Sequence, residues 1–177
     1  LRKASNAENL VIQDVTVDGR FLLYTASRAA SRGLWLLPLV AGSEQTRYLD
    51  GAERVGESAI SPDGRLLAHT ASQGALLQVF LRTFPDPSLG RWPVSGPGGK
   101  YPRWRRDGRE LFFVDSQGWL SAVSVSGGLT AQVGEPSRLF QSPGYTDRTQ
   151  SSPYDVSPDG QRFVVHRRRG ALRPIAL

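Results

Sequence analysis

Apolar residues in this chain come in short runs rather than at helical spacing. The runs "FLLYT" (21–25), "LLAHT" (66–70), "LFFV" (111–114) and "FVV" (163–165) each follow an Asp-Gly pair closely. They are short, rich in β-branched and aromatic residues, and bounded by Gly and Pro, which predicts strands and no helix. A strand wet on one face alternates apolar and polar positions. Runs such as "FLLY" and "LFFV", apolar throughout, predict strands covered on both faces.

The Asp-Gly pairs are Asp18-Gly19, Asp63-Gly64, Asp107-Gly108 and Asp159-Gly160, spaced 45, 44 and 52 residues apart. After each of the first three apolar runs comes a Gly-containing break and a second run: "LWLLPLV", "LLQVFLRTF" or "WLSAVSV". A shorter segment closes each unit: "TRYL", "RWPVS" or "SRLF". A repeat of about 45 residues holding four short strands is the signature of propeller blades. The expected fold is all-β, a β-propeller of four four-stranded blades with the last incomplete. Within one domain, 1–177, the blades span about 10–50, 55–96, 99–141 and 152–177.

The turn chemistry agrees. In Ser61-Pro62-Asp63-Gly64, Pro presets φ, Asp suits the next position and Gly accepts the left-handed one. Such a turn joins adjacent antiparallel strands. Asp18 and Asp107 lack the Pro and keep the turn with less rigidity. "SVSGGLTAQVGEPSRLF" and "QSPGYTDRTQSSP" read as long loops.

"ISPDGRLLAHTAS", "YPRWRRDGRELFFVDSQGWLSAV" and "PYDVSPDGQRFVV" resemble the WD-like repeat of TolB-type β-propellers. More closely, they resemble the C-terminal propeller of bacterial serine/threonine protein kinases, over about residues 10–177. Related repeats form the propeller of prolyl-oligopeptidase-type peptidases, so the alternative reading is the gate domain of such a hydrolase. The resemblance implies a non-catalytic module for protein binding or ligand sensing, outside the cytoplasmic membrane. It makes "LRKASNAENL" the end of a preceding outer strand and "LRPIAL" the third strand of blade four. The family has more blades than this chain holds, so the expectation is part of a larger ring, completed by further blades or by a second copy.

Composition narrows the chemistry. The chain has no Cys, which excludes disulfides and Cys-ligated metals. It has no Met, which suggests a processed chain or a piece of a longer one. No apolar run approaches the roughly 20 residues of a membrane span. The net charge is +6, with clusters at "RWRR" (103–106) and "HRRRG" (166–170). Basic surface attracts polyanions, but Lys occurs only at 3 and 100. Nucleic-acid binders ordinarily use both cations, so an Arg-rich solvated surface is the preferred reading and nucleic acid a minor alternative.

No enzyme motif emerges. There is no G-x-S-x-G elbow, H-E-x-x-H pair, H-R-D loop or D-F-G. "GPGGKYP" (96–102) fails as a phosphate loop and reads as a flexible link between blades two and three. The four turn aspartates sit one per blade, too far apart to share a calcium ion. His69 takes the slot of Tyr24 and Phe113 in neighbouring repeats and reads as a core side chain. His166 reads as surface. No cofactor is expected. The hypothesis is surface recognition, with Tyr101, Arg103, Trp104, Arg105, Arg106 and Tyr154 as candidate partner contacts, since Trp and Arg dominate binding hot spots. Trp104 also sits where such repeats keep an apolar inner-strand residue, and that structural role is favoured.

Overall fold

The computed structural model describes residues 10–27, 32–50, 55–74, 76–128, 130–141 and 152–166. The readings of "LRKASNAENL" before Leu10, "LRPIAL", the Arg run after His166 and most of "SPGYTDRTQSSP" lie outside them.

Four antiparallel sheets follow one another along the chain. Blade one is β1 (Leu10–Val15), β2 (Phe21–Ala26), β3 (Gly33–Pro38) and β4 (Thr46–Asp50). Blade two is β5 (Val55–Ile60), β6 (Leu66–Gln73), β7 (Leu76–Thr83) and β8 (Arg91–Pro93). Blade three is β9 (Gly99–Trp104), β10 (Glu110–Asp115) and β11 (Trp119–Ser126), whose free edge takes both β12 (Gln132–Val133) and β13 (Ser137–Gln141). Blade four is the pair β14 (Tyr154–Val156) and β15 (Phe163–Val165). The first two sheets pair strictly in sequence order, as hairpin-linked strands do. The inner strands β1, β5 and β9 contact one another in turn.

Each first hairpin closes on its Asp-Gly pair in the same way. The Gly takes φ between 68° and 73° in all four. Its N–H donates to the carbonyl three residues back: Thr16, Ser61, Arg105 and Ser157. The Asp Oδ1 accepts from the amide two residues on: Arg20, Arg65, Arg109 and Gln161. The turn thus survives intact without its Pro at Asp18 and Asp107.

Two-sided burial explains the uninterrupted apolar runs. In blade three, Leu111 and Phe113 point to a core shared with Ala68, Val79 and Leu81 of blade two. Phe112 and Val114 point the other way, into a core with Tyr154, Val156 and Phe163 of blade four. Between blades one and two, Leu23, Leu34, Leu36 and Tyr48 meet Ile60, Leu67 and Phe84. Each sheet hides its neighbour's flank, and apolar burial at roughly 25 cal/mol per Å² drives the stacking.

The register also shows where stacking stops. Counting from the Asp-Gly pair, Ile60 and Leu67 correspond to Val15 and Leu22. Among the described residues no blade covers that flank of blade one, and Val15 and nearby Ile12 (68% exposed) face outward. At the other end Val164 is 77% exposed. The four sheets form an arc and do not close into a ring.

Two connections differ from the sequence reading. "SVSGGLTAQVGEPSRLF", read as a long loop, carries β12 and most of β13, both paired to β11. "GKYP" is not part of a loose link: β9 begins at Gly99, and only the segment before it connects the blades. A Cβ on Gly99 would stand 2.6 Å from the Ser95 Cβ, so only glycine lets the strand pass so close.

Candidate partner-binding site

The inner strands of blades one to three border an open cavity of about 390 Å³. It is lined by Gln13 to Val17 of blade one, Ser58 to Pro62 of blade two, and Arg103 and Trp104 of blade three. The lining mixes polar groups, among them Gln13, Asp14 and Arg103, with apolar ones, and it begins at a bulge. The β1–β2 register slips between Ile12 and Asp14, leaving Gln13 without a cross-strand partner.

That irregularity turns two side chains toward blade two. Gln13 Oε1 accepts from the Ser58 amide at 3.1 Å, while its Nε2 donates to Thr25 Oγ1 at 3.2 Å. Asp14 Oδ2 accepts from the Ile60 amide at 2.8 Å, and Oδ1 from the Val15 amide at 2.8 Å. The two residues thus clasp the free amide edge of β5, where an ordinary sheet neighbour is missing. Burial pushes the Asp14 carboxyl above its ordinary value, against the backbone hydrogen bonds and the Arg103 charge, which pull it down.

Arg103 borders the same cavity, half-buried. Its Nη1 donates to the Pro102 carbonyl at 3.1 Å. Asp14 acts on it only at a distance, and its own oxygens are already engaged by amides. A planar guanidinium without a bidentate acceptor, at the edge of a cavity, suits a carboxylate or phosphate.

The other sequence candidates are placed differently. Trp104 is buried: its Nε1 donates to the Ala59 carbonyl at 3.0 Å and its ring joins the core between blades two and three. It also lines the cavity. Tyr101 (1% exposed) and Tyr154 are buried in the core between blades three and four, with Tyr154 Oη donating to the Tyr101 carbonyl at 2.8 Å. Neither offers surface to a partner in this arrangement; burial raises the Tyr154 phenol far out of the titrating range. Arg105 is tied to Glu110 at 3.0 Å and Asp107 at 3.4 Å, and its stem packs on Gly160 of the next blade. Arg106 is exposed. Of the six candidates, Arg103 and Trp104 come together at the cavity. Gln13 and Asp14 escaped sequence reasoning, although two adjacent polar residues inside "LVIQDV" were the available signal.

No family model matches the chain, and no curated protein matches it. Solved structures do. TolB from Acinetobacter baumannii matches with a TM-score of 0.60 at 20% identity, over 93% of this chain and 39% of that one. The putative TolB from Agrobacterium tumefaciens matches with a TM-score of 0.59 at 17% identity, over 78% of this chain and 53% of that one. A putative 6-phosphogluconolactonase from Bacteroides uniformis matches with a TM-score of 0.57 at 13% identity, over 90% of this chain and 48% of that one. The fold is therefore a TolB-like β-propeller, and this chain spans about two fifths to one half of the propeller proteins it matches. Among the described residues, no helix is long and apolar enough to cross a membrane.

Proposed function

We propose that the chain is a non-catalytic recognition module that binds a protein or small acidic ligand at the inner-strand cavity. In this reading it is the sensor end of a bacterial serine/threonine kinase, outside the cytoplasmic membrane, as the sequence resemblance implies. The observation that carries the proposal is the pairing of an Arg103 guanidinium, held by the Pro102 carbonyl at one nitrogen and bound to no carboxylate, with an Asp14 whose oxygens are already taken. The first is available for a ligand acid; the second holds the wall in place. Propellers use rigid blades to present such groups.

The flank bearing Ile12 and Val15 belongs to the same reading. It occupies the register position that blades two, three and four each bury against a predecessor, so further blades or a second copy complete the array. Light scattering of the isolated chain tests this, with association expected and a stable monomer counting against it.

The recognition reading is tested with wild type and Arg103→Glu side by side in affinity capture from a bacterial envelope extract. A species held by wild type and lost from the variant, at unchanged melting temperature, supports it. Equal capture by both, or turnover of any captured small molecule, contradicts it.

A further inference from the structure

His69 lies on β6 between Ser58 of β5 and Phe80 of β7, at 0% exposure; neither ring nitrogen makes a well-formed hydrogen bond, and the one polar contact acting on the ring is the Thr70 backbone. The repeat places Tyr24 and Phe113 in the same slot, so a hydrocarbon ring suits the space and an imidazole costs its unmade hydrogen bonds. Its ring stands 6.0 Å from that of Phe80. It shares a face with Leu67, which packs against blade one.

We propose that His69 is an acid-sensitive catch: protonation of its imidazole loosens blade two from blade one and dismantles the cavity that the two blades share. The last step rests on the reading of that cavity given above. The geometry links the two events. Ser58, the cross-strand neighbour of His69, is the residue whose amide Gln13 holds, and Asp14 holds Ile60 two positions along.

The charges around the ring favour this. Arg82 of β7 and Arg91 of β8 both act on it, and both oppose an imidazolium. Across the interface blade one brings Tyr48, whose hydroxyl donates to the Thr83 carbonyl, and Asp14, whose carboxylate is occupied by amides. No carboxylate among the described residues acts on His69. Burial first, then the two arginines, lower its pKa to about 3, against the Thr70 backbone, which favours the charged ring. The closed state therefore refuses a proton that the opened chain accepts near pH 6.5. Stability is full above that value and falls as the pH drops toward 3. One proton is taken up on opening, so the opening equilibrium constant rises by up to tenfold per pH unit in that window. Asp14 runs the other way: its raised pKa makes the closed state the better proton acceptor, so acid stabilises through it.

The test is hydrogen exchange of the Ser58 and Ile60 amides in the 177-residue chain, corrected for intrinsic rate, from pH 7 to 4, in wild type and His69→Phe. Wild-type protection should fall by up to tenfold per unit, with Phe112 and Val114 of blade three retaining theirs. His69→Phe should hold its protection or gain some, through Asp14. An equal acid loss in both proteins overturns the proposal. Should the Phe variant misfold, imidazole NMR of wild type decides. A His69 that takes up its proton while the Ser58 and Ile60 amides stay protected overturns it, and one whose protonation coincides with loss of that protection upholds it. Neither readout uses a ligand, so failure here is separable from failure of the recognition reading.

Discussion

Tyr154 and Tyr101 are 53 residues apart in sequence, yet the phenol of the first donates to the main-chain carbonyl of the second across the interface of blades three and four. Tyr101 takes a left-handed φ of 59°, unusual for a bulky residue. The hydrogen bond and the packing of both rings hold that conformation. Tyr154→Phe keeps the ring and removes the hydrogen bond that its hydroxyl makes across the interface. The expected loss is about 0.5–1.5 kcal/mol, read from the urea midpoint. No change would show that the carbonyl finds another donor.

Trp104 fills the space between blades two and three and donates to the Ala59 carbonyl. Trp104→Ala removes a large buried ring and should cost about 3–5 kcal/mol in chemical denaturation. Trp104→Phe keeps much of the volume and loses the hydrogen bond, so it should cost less. Equal and small losses would place the ring at a surface rather than in a core.

Gly160 combines two demands: a φ of 73° and Arg105 of the neighbouring blade 3.0 Å from where a Cβ would stand. Gly64 has a similar φ and open space around it. Gly64→Ala should therefore cost about 1 kcal/mol for conformation alone. Gly160→Ala should cost more, because the Arg105 stem must also move. The difference between the two melting temperatures measures the blade-to-blade contact at the turns.

The repeat was legible in the sequence because its information is local. The four Asp-Gly pairs fix their own turns, and "LFFV" announces two-sided burial through Leu111 and Phe113 on one flank and Phe112 and Val114 on the other. The candidate site was legible only in part. Arg103 stands out as a charge on an inner strand. Its wall, Gln13 and Asp14, depends on a bulge that breaks the alternation of β1, and nothing local in "VIQDV" sets that bulge. Tyr101 and Tyr154 looked available because aromatic residues serve surfaces and cores alike, and only the packing of blade four against blade three separates the two roles. Gly99 read as a loop residue, whereas it is a strand residue whose missing side chain makes room for Ser95.

The central claim is that the sheets stack flank to flank, and cross-blade aromatic pairs test it most directly. Phe112 and Phe163 meet edge to face at 5.1 Å between blades three and four, and Phe21 and Phe84 at 5.8 Å between blades one and two. Double-mutant cycles to Leu at each pair, followed by denaturant unfolding, should give coupling of about 0.5–1.5 kcal/mol. Strict additivity at both pairs would contradict the radial arrangement.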